Sequence, residues 1–87
     1  MLLIQHRINT LKQLKKTDTN YGIEIDVRSN KSRLFLHHDP FNQGPSLDKF
    51  LKFYNHKLLI VNVKEEGIEL KILKILKKNI LVWRLKK

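Results

Sequence analysis

Residues 22–39 read GIEIDVRSNKSRLFLHHD, and the fold turns on the first half of that stretch. Side chains alternate across a strand, so Ile23, Ile25 and Val27 share one face while Glu24 and Asp26 share the other. β-branched residues at alternate positions suit a pleated, half-buried surface, and a strand is predicted from Tyr21 to Arg28. Ser29-Asn30-Lys31-Ser32 is a polar turn, and the apolar run Leu34-Phe35-Leu36 returns toward His37-His38-Asp39. The short connection predicts a hairpin, although no Asn-Gly pair fixes its turn type.

Upstream, Leu2-Leu3-Ile4 is an apolar run suited to a buried first strand that ends at Gln5-His6-Arg7. Thr10 is placed to cap a short helix reaching Lys16, and residues 17–20 read as a turn. Downstream, Asp39-Pro40 and Asn42-Gln43-Gly44-Pro45 break the chain. Ser46 then caps a helix from Leu47 to about Asn55, with Asp48 complementing the positive N-terminal end. Leu58 to Lys64 is a third strand. After Gly67, Ile68, Ile72, Leu73, Ile75 and Leu76 follow helical spacing, with Lys71, Lys74, Lys77 and Lys78 mainly on the opposite face. Ile80 to Leu85 completes the pattern as a fourth strand. The alternation predicts a single α/β domain over residues 1–87. It has a parallel sheet of four strands, a hairpin insertion after the second, and three helices.

Composition narrows the function. The chain carries no cysteine, which excludes thiolate catalysis, disulfides and sulfur-ligated zinc. MLLIQHR is too short for a signal-peptide core. The later apolar run from Leu58 to Val61 falls far below the roughly 20 residues a membrane span needs, so a cytoplasmic protein with no membrane span is expected. A net charge of +10 attracts polyanions, but the lysine spacing places most of it on solvated helix faces. The aromatic-basic stretch LDKFLKFYNHK puts Phe50, Leu51 and Tyr54 on one helix face, which favours core packing over a nucleic-acid patch. Nucleic acid is therefore disfavoured as a partner, while a phosphate-bearing small molecule would be drawn in by the charge.

The polar strand faces carry the chemistry. In the third strand Leu59, Val61 and Val63 alternate with Ile60, Asn62 and Lys64, so two strands have one polar face at matched depth. Parallel α/β sheets bind ligands at the C-terminal ends of their strands. Glu24 and Asp26 cannot both stay ionised in a dry pocket without a counter-charge, and a hard divalent cation such as Mg²⁺ or Ca²⁺ would supply one. The alternative is an edge strand with both carboxylates in water. His6 and His38 end neighbouring runs, as acid–base candidates near the carboxylates or as surface residues. Asp39 is a candidate to orient a histidine or to complete a metal shell. Arg7 offers a planar fork for phosphate, and Lys64 a charge for a phosphoryl oxygen.

Taken in order, His6-Arg7, Glu24-x-Asp26, His38-Asp39-Pro40 and Asn62-x-Lys64 resemble the glycerophosphodiester phosphodiesterase family, a TIM-barrel family. The resemblance implies that His6 and His38 are the acid–base pair, that Glu24, Asp26 and Asn62 are metal ligands, and that Arg7 and Lys64 contact phosphate. It implies metal-dependent hydrolysis of a glycerophosphodiester to glycerol 3-phosphate and an alcohol. Ile8 stands where the family has glycine, and Asn62 where it often has glutamate. A TIM barrel takes about 250 residues, so the chain corresponds to about half of one, a truncated (β/α) barrel with open strand edges at Leu2–Ile4 and Ile80–Leu85. Such edges invite a homo-oligomer. A catalytically incomplete remnant or assembly module of that fold is the alternative function, and a basic nucleic-acid binder the second.

Overall fold

The alternation of residues 22–30 is realised as the central strand of the protein. The computed structural model describes residues 2–31, 33–39 and 44–86. Along them run β1 (Ile4–Gln5), α1 (Leu11–Lys16), β2 (Gly22–Asn30), β3 (Arg33–Leu36), α2 (Leu47–Lys52), β4 (Leu58–Val63), α3 (Glu69–Asn79) and β5 (Trp83–Lys86). The architecture is α/β, with a mostly parallel sheet of five strands and three helices.

Sheet order is β1-β2-β4-β5, with β3 added antiparallel to β2. Val27 pairs with Val63 of β4 and with Leu36 of β3. Those partners must lie on opposite sides of β2, so β3 occupies the side shared with β1. β1 pairs only with Gly22 and Ile23, while β3 begins its pairing at Val27. A gap is left beside Glu24 and Asp26, and it is there that the candidate site forms.

The opposite face of β2 is the core. Ile23, Ile25 and Val27 pack with Leu59 and Val61 of β4 in one cluster with Leu14, Phe50, Ile72 and Leu76 from the three helices. Leu47, Phe50 and Leu51 are all buried, with Tyr54 packed against them, so the aromatic-basic stretch does serve the core. Lys71, Lys74, Lys77 and Lys78 are exposed on α3. Gly67 precedes that helix with φ of +86°, a backbone conformation that glycine alone adopts at little cost. No helix among the described residues is long and apolar enough to cross a membrane.

Several boundaries differ from those read in the sequence. The first strand is Ile4–Gln5, not Leu2–Ile4, and Leu2 and Leu3 are 43% and 52% exposed. The last strand begins at Trp83, not Ile80, because Leu81 and Val82 project into solvent on the way from α3. The second helix ends at Lys52, where Phe53 closes it, rather than near Asn55. β2 runs on through Asn30, past the expected end at Arg28, because β3 pairs with it as far as Asn30. Lys31 takes φ of 49° in the hairpin connection, the positive φ that two-residue hairpin turns favour. Ser32 of that turn and residues 40–43 of the expected irregular segment lie outside the described residues.

Phe50 is fully buried at the centre of this cluster. Phe50→Ala should destabilise the fold by about 3–5 kcal/mol, read as a lower urea midpoint at unchanged slope. A parent-like midpoint would place Phe50 outside the core.

Candidate functional site

The path from β1 to α1 builds one wall of the site. Arg7 takes the left-handed region, φ 55°, which is uncommon for a side chain of its size. This turn lets the Ile8 amide donate to the Glu24 carbonyl at 2.9 Å and buries the Ile8 side chain. At the start of α1, Thr10 and Gln13 form a reciprocal capping box, and Gln13 Oε1 also accepts from the Asn9 amide at 3.1 Å. Asn9 is thereby held in the gap beside β2. Its Oδ1 accepts the Asp26 amide at 2.8 Å, and its Nδ2 donates to Asp26 Oδ2 at 2.9 Å. The side chain of Asn9 does there what a neighbouring strand's backbone would otherwise do.

A second wall comes from the end of β3. The His37 amide donates to the Asp26 carbonyl at 3.1 Å. Arg28 donates to the carbonyls of His37 and His38 at 3.2 and 2.7 Å, so the segment is pinned at three points. The Asp39 amide donates to His37 Nδ1 at 2.9 Å. This turns the His37 ring onto its own backbone and leaves His38 as the histidine at the site.

The sheet register sets the floor. Asp26, Asn62 and Lys86 form one row across β2, β4 and β5, and Glu24, Ile60 and Arg84 form the next. His6, Arg7, Glu24, Asp26, His38, Asn62, Lys64 and Lys86 line one depression of about 320 Å³. Every site residue nominated from the sequence is therefore brought to the same place, apart from Asp39, which is not among the residues lining it. Asn9 and Lys86 were missed. The alternation Trp83-Arg84-Leu85-Lys86 marks Lys86 as a polar-face residue of β5, one position past the strand end expected at Leu85.

Each carboxylate has its own set of partners. Glu24 Oε1 faces His6 Nδ1 at 3.1 Å and Oε2 accepts from Lys86 Nζ at 3.4 Å. Burial pushes the Glu24 carboxyl up, but hydrogen bonds and charge from His6 and Lys86 outweigh it and hold it below its ordinary value of 4.5. An ionised carboxylate only accepts, so His6 Nδ1 carries the proton and Nε2 is left to face the depression. Asp26 is 1% exposed. Its Oδ1 accepts from Asn62 Nδ2 at 3.2 Å and lies 3.7 Å from Lys64 Nζ. His38 Nδ1 lies 3.7 Å from Oδ2. The result is two carboxylate–histidine–lysine sets side by side.

This donor set does not fit the divalent cation that the resemblance implies. Oxygen ligation needs carboxylate oxygens free to face the ion, and all four here already face nitrogen donors. Three permanent cations, Arg7, Lys64 and Lys86, surround two carboxylates, so the local charge suits an anion. Comparison of the chain with family models, with curated proteins and with solved structures finds no match.

Two outcomes follow. Asn9→Ala leaves the buried amide and Oδ2 of Asp26 without their partners, which should cost about 1–3 kcal/mol in urea or thermal unfolding. A loss no larger than that of Thr19→Ala, at an exposed position, would sink the clamp. The depressed carboxyl of Glu24 stabilises the fold above its unfolded value of 4.5, and that contribution disappears as pH falls through the lower folded value. Glu24→Gln should therefore flatten the fall of the thermal midpoint below pH 4.5. An acid limb as steep as the parent's would contradict the pairing.

Proposed function

We propose that this depression binds a glycerophosphodiester and cleaves it by histidine acid–base catalysis, releasing glycerol 3-phosphate and an alcohol. The observation that carries the reading is the convergence of His6, His38, Arg7 and Lys64 around Glu24 and Asp26. The helices pack on one face of the sheet while the other bears the site. One-sided helix packing supports reading the sheet as a (β/α)-barrel wall. We take the domain as such a wall, its polar face turned to the barrel interior.

In this reading the carboxylates are positioning residues. Glu24 holds the His6 ring through the 3.1 Å contact with Nδ1, as a buried carboxylate orients a catalytic imidazole. Asp26 Oδ2 lies 3.7 Å from His38 Nδ1, beyond a direct hydrogen bond, and presents its charge to that ring. One imidazole removes a proton from an attacking water as the water oxygen bonds to phosphorus. The other delivers a proton to the alcohol oxygen as its bond to phosphorus breaks. Arg7 and Lys64 meet the non-bridging oxygens, where charge is carried through the displacement.

The test is release of glycerol 3-phosphate from a glycerophosphodiester. His6→Ala and His38→Ala should each lower kcat by about 10²–10⁴-fold while circular dichroism shows an intact fold. Turnover that survives the double substitution would refute the reading, and so would a folded parent chain that releases no product.

A further inference from the structure

We propose that Lys86, together with Lys64 and Arg7, forms an anion cradle that takes a phosphate group without a divalent cation. The inference uses the same depression as the proposed phosphodiesterase but needs no turnover.

Lys86 enters the site from β5, the strand farthest from β1 in the sheet path. Its register partner is Asn62, which pairs in turn with Asp26. Its ammonium donates to Glu24 Oε2 at 3.4 Å, yet 60% of its side chain is exposed. One of three ammonium donors is used on the carboxylate, and the outward ones face the depression. Lys64 has the same form on the neighbouring strand end, 3.7 Å from Asp26 Oδ1 and 26% exposed. Arg7, exposed on the opposite rim, completes a ring of cations above carboxylates that are already neutralised.

That geometry separates two jobs that a metal would combine. The lysines cancel the repulsion between Glu24 and Asp26, and their remaining donors present positive charge to a ligand. A phosphate entering the depression meets three permanent cations. A divalent cation would first have to displace two lysines from the carboxylates. The chemistry recognised is a phosphate group, free or carried on an ester.

Calorimetric titration of the full chain with inorganic phosphate in EDTA tests this directly. Saturable binding is expected in EDTA, with no gain on replacing EDTA by Mg²⁺ or Ca²⁺. Lys86→Gln should weaken the dissociation constant by about tenfold, Lys86→Arg should restore most of it, and Lys77→Gln on the exposed face of α3 should leave it unchanged. Binding that requires Mg²⁺ or Ca²⁺ overturns the proposal, as does absence of binding in the folded parent. Equal losses in Lys86→Gln and Lys77→Gln also overturn it, since attraction to the net charge would then suffice. Should Lys86→Gln not fold, the EDTA titration of the parent and of Lys86→Arg decides. Phosphate binding in EDTA without glycerophosphodiester turnover would sink the hydrolase reading and leave the cradle standing.

Discussion

A carboxylate buried in the middle of a sheet is the constraint on which the rest of the structure depends. Asp26 is 1% exposed, and stripping water from an ionised group costs several kcal/mol unless hydrogen bonds and opposite charge replace it. The replacements come from all round it. Asn9 lies on one side of the strand and Asn62 on the other, and Lys64 and His38 approach from the strand ends. None of these is close in sequence; Asn9 is 17 residues away and Asn62 is 36. Satisfying Asp26 therefore requires β1, the hairpin and β4 to be in place together. The requirement ties the site to the folding of the sheet.

The same need explains an irregular feature. β1 is only two residues long, and β3 takes up the same side of β2 farther along. An ordinary parallel neighbour would have continued past Glu24 and Asp26 with backbone groups. Here the chain turns at Arg7, spends one amide on Glu24, and offers the Asn9 side chain to Asp26. A short strand thus leaves the neighbourhood of both carboxylates to side chains, which differ in charge where backbone does not. The positive φ at Arg7 is local strain kept at the site, and the Ile8 contact and the capping box on either side of Asn9 hold it.

How much of this was legible in the sequence depends on range. The alternation of Ile23, Ile25 and Val27 with Glu24 and Asp26 fixes which face meets the helices, because period two leaves no other choice. Local caps at Thr10 and Ser46 were equally plain. Strand ends were not. Leu2, Leu3, Leu81 and Val82 are apolar yet substantially exposed, because strand limits follow from available partners and not from the length of an apolar run. Asn9 carried no periodic or motif signal; its role exists only through contact with a strand that forms 17 residues later. The His-Asp motif of the phosphodiesterase resemblance favours His38 over His37, and the structure adds a physical reason. Arg28 holds the backbone carbonyls of both residues, while the Asp39 amide engages the His37 ring and His38 lines the depression.

The counter-charge argument shows what a sequence can and cannot decide. Two carboxylates on one buried face need positive charge nearby, and that much follows from electrostatics alone. What supplies it is a question of topology. From spacing, the nearest answer was a divalent cation, since no lysine lies beside Glu24 and Asp26 in the chain. Folding brings Lys86 across 62 residues to Glu24 and Lys64 to Asp26, each at a strand end where its stem can lie along the sheet and its head remain in solvent. A metal and a lysine answer the same repulsion with different consequences. An ion that saturates its ligands with carboxylate oxygen adds charge at one point. Two lysines on separate strands distribute it along a rim, with donors to spare for an incoming anion. The reach of β5 into the site is therefore what converts a pair of acids that would invite a cation into a pocket whose surplus charge is positive.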